Sequence, residues 1–97
     1  MARIEILPEV LGDLDRIFDH LAKFDIEGAA GRTSEIMAAI DVLAMNPLIG
    51  RPESDGTREL VIGKGTRGYV ALYRYLPELD AVFVLALRGQ REVGYKR

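Results

Sequence analysis

Residues 58–88, RELVIGKGTRGYVALYRYLPELDAVFVLALR, decide the fold. Three runs in this stretch, Arg58–Gly63 (RELVIG), Tyr69–Leu76 (YVALYRYL) and Ala81–Arg88 (AVFVLALR), are rich in Val, Leu, Tyr and Phe and carry no helical period, which is the pattern of strands. The connections KGTRG (64–68) and PELD (77–80) are short and hold the Gly, Pro and Asp residues that reverse a chain between paired strands. The stretch therefore predicts a three-stranded antiparallel meander. Strand alternation places Tyr69, Ala71, Tyr73 and Tyr75 on one face and Val70, Leu72, Arg74 and Leu76 on the other. In the last run it groups Phe83, Leu85 and Leu87 against Val82, Val84, Ala86 and Arg88. Both faces stay apolar up to Arg88, so one helical layer leaves sheet surface that a partner can occupy.

Upstream the period changes. ARIEIL alternates Ile4 and Ile6 with Arg3 and Glu5, a half-buried strand that needs the meander as a neighbour. Pro8 suits a first helical turn, and Leu7, Val10, Leu11, Leu14, Ile17, Phe18 and Leu21 then recur at three- and four-residue steps to about Lys23. Glu9, Asp13, Arg16, Asp19 and His20 fall on the opposite, wet side. After a break in FDIEGAAGR, a second helical stripe runs through Ala29, Ala30, Thr33, Ile36, Met37, Ile40, Leu43 and Ala44 until Pro47 stops it. A short connection makes the two helices an antiparallel hairpin. NPLIGRPESDGT (46–57) reads as the one long loop. The fold class is thus α+β: an N-terminal strand, a two-helix hairpin, then the meander, as a single domain over residues 1–97.

Composition limits the chemistry. The 97 residues are 48% hydrophobic with no cysteine and one histidine, so one modest core is expected, without disulfides, thiolate sites or a histidine metal cage. Acidic residues in MARIEILPEVLGDLD interrupt what a signal peptide would need, and no run has membrane-spanning length, so the chain is read as cytoplasmic and off the membrane. No cofactor and no metal is expected. The net charge of -2 hides a split: residues 1–50 hold four Lys/Arg against nine Asp/Glu, and residues 51–97 nine against six. An anionic partner would dock on the second half.

The layout, together with MNPLIGRP, GTREL, GYVALYRY and VLALRGQRE in this order, resembles the RelE/ParE superfamily of toxins from type II toxin–antitoxin modules, also known as plasmid stabilization proteins. The likeness covers essentially the whole chain. It implies a growth-inhibiting toxin held inactive by a cognate antitoxin, whose extended or helical segment wraps a hydrophobic groove. It also implies one of two targets. ParE-like members poison DNA gyrase, and RelE-like members cut mRNA on the ribosome.

Metal-independent RNA cleavage needs a group to take the 2'-OH proton, cations for the phosphorane and a proton donor for the leaving oxygen. The resemblance places basic residues in the strand after the long loop and after a Gly-Tyr pair. Here the first place holds Val61, Ile62 and Gly63, and Val70 follows Gly68 and Tyr69. Arg91 and Tyr95 match the family's C-terminal basic and aromatic positions. The reading taken is a ParE-like gyrase inhibitor acting by protein contact. The alternative is a ribonuclease in which Arg67, Arg88 and Arg91 hold phosphate and Tyr95 transfers a proton, and only then is the protein an enzyme. Other conspicuous residues have plainer expected roles: His20 solvated, Tyr73 and Tyr75 packing the sheet, Met37 and Met45 filling the core, and Arg74 reaching a sheet edge or pairing with Glu59.

Overall fold

A computed structural model describes residues 1–96, apart from the side chain of residue 66. The order is β1 (Arg3–Ile6), α1 (Pro8–Ala22), α2 (Ile26–Asp41), β2 (Arg51–Pro52), β3 (Arg58–Ile62), β4 (Tyr69–Leu76) and β5 (Ala81–Gly89). The sheet runs β1-β5-β4-β3-β2, with β1 parallel to β5 and the other pairs antiparallel. The predicted α+β order holds, and the first strand does join the sheet. The loop at 46–57 differs from expectation, because Arg51 and Pro52 pair with Glu59 and Arg58 as a fifth, two-residue strand. A proline costs nothing at such an edge, where no neighbour needs its missing N–H.

The helices lie on one face. Val10, Ile17, Ile36, Ile40 and Leu43 pack on Ile62, Tyr69, Ala71, Tyr73, Val82, Val84 and Leu87 to form the core. The second helix begins earlier than its apolar stripe suggests, because Asp25 accepts a hydrogen bond from the Gly28 N–H and caps it. Met37 packs against the core, whereas Met45 lies past the helix end and is 70% exposed, so it is not core filler. No helix of the described residues is long and apolar enough to cross a membrane.

Two expectations about faces are corrected. Leu72 pairs with Ala86 but Tyr73 with Val84, so Leu85 is an extra residue in β5. This bulge reverses the alternation: Leu87 joins Val82 and Val84 in the core, and Ala86 and Arg88 turn to the open face beside Leu72 and Val70. The second correction is Asp13, expected in solvent but buried. β1 stops at Ile6 opposite Val84, so beyond that point β5 has no strand on its outer side. Side chains of α1 replace one: Asp13 Oδ2 accepts from the Leu87 N–H at 2.9 Å and Arg16 donates to the Leu87 carbonyl at 3.3 Å. A buried N–H left unmet costs about 1–3 kcal/mol, which is why a carboxylate can sit there.

Candidate functional site

Glu59 organises the open face. On β3 it points away from the helices with Val61, next to Leu72 of β4 and, beyond it, Ala86 of β5. The residue is buried, and its carboxylate accepts from Arg51 Nη2 at 3.1 Å and from the Tyr95 hydroxyl at 2.6 Å. Arg88 Nη2 stands 3.8 Å away, and the Arg88 guanidinium lies 5.2 Å from the centroid of the Tyr95 ring. Arg88 also donates to the carbonyls of Gly89 and Glu92, while its Nε is buried with no hydrogen-bond partner. The chain past β5 thus folds back over the face, and Val70 and Ala86 are covered. Leu72, Leu76, Phe83 and Leu85 remain half-buried.

Burial foremost, and then the hydrogen bond and charge of Glu59, push the Tyr95 phenol well above its ordinary range, with Arg88 pulling less strongly the other way. The folded protein therefore holds this proton where the unfolded chain loses it, near pH 10. The stability linked to Tyr95 is complete below that pH and disappears as pH rises towards the folded value. In urea titrations across this alkaline range, Tyr95→Phe should lose less stability per pH unit than the wild type. Equal slopes would mean that the phenol is not held by Glu59.

The four residues singled out from sequence do not form one site. Arg88 and Tyr95 meet on the open face, joined by Glu59. Arg67 and Arg91 instead border a cleft of about 640 Å³ at the end of the helical hairpin, floored by Ile17, Leu21 and Tyr69. Arg16, Arg32 and Lys96 share its rim. A second hollow of about 440 Å³ adjoins it through Arg32 and Arg67 and adds Lys64 and Glu35. Among the described residues neither the Arg67 nor the Arg91 side chain has a hydrogen bond or ion pair. Arg16 is committed to Glu92 at 2.6 Å. Burial would raise the Glu92 carboxyl, but the Arg16 and Gly89 hydrogen bonds, with Arg16 and Lys96 charges, hold it below its ordinary value.

Sequence reasoning did not foresee the roles of Glu59 and Arg51 at the open face or of Asp13 at the edge of β5. Of its two readings for Arg74, reaching a sheet edge or pairing with Glu59, the pairing does not occur: Arg74 donates to the Asp55 carbonyl and closes the loop there. His20 is exposed as expected, edge-on to Phe24. Among the described residues no group of three His, Cys, Asp or Glu side chains could hold a metal ion.

Comparison with known proteins adds three findings. The profile of the family described as "ParE toxin of type II toxin-antitoxin system, parDE" matches residues 4–94. Toxin RelE3 of Caulobacter vibrioides is 30% identical over 92 residues, which span 95% of this chain and 98% of that protein. A chain of the chromosomal ParDE TA system from P. aeruginosa superposes with a TM-score of 0.77 at 22% identity, covering 92% of this chain and 96% of the other.

Proposed function

Since the chain belongs to the ParE toxin family of type II toxin–antitoxin systems, we propose that it arrests growth by gripping DNA gyrase and is silenced by a cognate antitoxin in its cationic cleft. As one cytoplasmic domain of residues 1–97 it works without a cofactor. The observation that carries the reading is the engagement of Arg88 and Tyr95 by Glu59. A proton-transfer residue whose hydroxyl is spent on an internal carboxylate is poorly placed to serve a leaving oxygen. The other two cations of the ribonuclease scheme, Arg67 and Arg91, border a different surface. Beside Glu59 the face offers an exposed Val61 and the half-buried Leu72, Leu76, Phe83 and Leu85, apolar ground suited to a protein partner.

The antitoxin reading follows from the cleft. An apolar floor between unspent guanidiniums complements a segment with leucine-like residues on one side and Asp or Glu on the other. The ribonuclease alternative keeps one observation in its favour, the proximity of Arg88 and Tyr95.

A pulse of expression in cells separates the targets. DNA-damage signalling with intact transcripts is the expected result, and toxicity should survive Tyr95→Ala. Rapid, codon-placed mRNA cleavage that Tyr95→Ala abolishes would overturn the gyrase reading.

A further inference from the structure

Arg51, Arg88 and Tyr95 approach one point on the open face from three parts of the chain: an edge strand, the last strand and the C-terminal segment. Two guanidiniums, which only donate, and a phenolic O–H, which can donate, together make a set that binds a phosphate. In this protein the acceptor at their meeting point is Glu59, with Arg51 at 3.1 Å, Tyr95 at 2.6 Å and Arg88 at 3.8 Å. We propose that Glu59 is a specificity-determining residue: it fills, from within the chain, an anion site that would otherwise take a phosphodiester, and so reserves the open face for protein contact.

This rests on the gyrase reading and supplies its physical cause. A phosphate entering the site has two routes. It can stand beside Glu59, placing two negative groups within contact distance where the local dielectric is low, or it can displace Glu59 and leave that carboxylate buried without donors. Both are unfavourable. The Arg88 Nε, buried and without a hydrogen-bond partner, shows that the donor set is larger than one carboxylate uses. The neighbouring positions do nothing to offset the block, because Val61 and Val70, in register with Arg88, carry no charge. Among the described residues Glu59 is thus the one negative group on the open face that both guanidiniums address, and Arg88 keeps a donor to spare.

The test uses the whole chain and two probes, inorganic pyrophosphate and a short fluorescein-labelled oligouridylate. Glu59→Gln keeps the shape and an acceptor for Tyr95 but removes the charge. It should bind both probes about tenfold tighter than the wild type, and Arg88→Ala added to Glu59→Gln should abolish the gain. No gain, or a gain that survives loss of Arg88, overturns the proposal. A second measurement does not depend on the variant folding. In the wild type, oligouridylate should shift the amide resonances of Lys64, Arg67 and Arg91 and leave those of Val70, Ala86 and Arg88 in place. Shifts at Arg88 in the wild type would also overturn it. Either failure removes this physical cause without itself overturning the gyrase reading, which falls if expression of the wild type cleaves mRNA and Tyr95→Ala abolishes the cleavage.

Discussion

Gly50→Ala lowers the thermal midpoint by roughly 12–24 °C. Gly50 is buried at the end of the loop before β2, and its N–H donates to the Tyr73 hydroxyl at 2.8 Å. A Cβ there would lie 2.6 Å from Tyr73 Cε1, 2.7 Å from its hydroxyl and 2.9 Å from the Glu59 carbonyl oxygen. Each is well inside contact distance, and none belongs to a mobile side-chain end. Tyr73 is fully buried in the core, and the Glu59 carbonyl is part of β3. Relief requires moving the loop, which breaks the Tyr73 bond and the Arg58 hydrogen bonds to the carbonyls of Leu48 and Gly50.

Overpacking costs about 1–3 kcal/mol and a lost buried hydrogen bond about 1 more, so the total is about 3 kcal/mol. For a chain of this size each kcal/mol moves the midpoint by roughly 4–8 °C. Circular-dichroism melts measure it. In a Tyr73→Leu background, where the ring is gone, the added cost of Gly50→Ala should shrink by about half. A midpoint within about 3 °C of the wild type would show that the loop yields without cost.

The crowding at Gly50 could not be read from sequence, and the reason is general to this chain. Local patterns speak for neighbours a few residues apart, and on that scale the strand, the two helices and the meander were all visible. Alternation in β5 was less informative than it looked, because both faces of AVFVLALR are apolar and a one-residue slip at Leu85 changes no letter of the pattern. Asp13 looked solvated since a carboxylate every few residues is what a wet helix face contains. Its acceptor role exists only because β1 ends at Ile6, a fact of topology. Glu59 depends on partners 8 residues before it and 36 after it. Of the candidate site, sequence supplied the residue types and the C-terminal location. It could not supply the division into two surfaces, which comes from the chain turning back after β5.

That division gives the second large effect. Arg67→Glu with Arg91→Glu should weaken binding of the cognate antitoxin by about 100-fold or more, some 2.7 kcal/mol, because unlike charges at the cleft rim become like charges facing an acidic segment. The folded state should hardly notice. Both side chains are exposed, and among the described residues neither has an ion pair or hydrogen bond to lose, so the melting point should stay within about 3 °C. Stability and affinity therefore separate, which a disrupted fold would not allow. Salt adds an independent signature: wild-type affinity should fall as ionic strength rises, since rim charges are screened over roughly 8–10 Å, while the doubly reversed variant should lose that dependence or invert it. Calorimetric titration at low and high salt measures both. Arg51→Glu supplies the contrast, because Arg51 lies on the open face with Glu59 and away from the cleft, and its reversal should leave antitoxin affinity near the wild-type value. If Arg51→Glu weakened binding and the cleft reversals did not, the antitoxin would have to lie on the open face, and the cationic cleft would lose its assigned occupant.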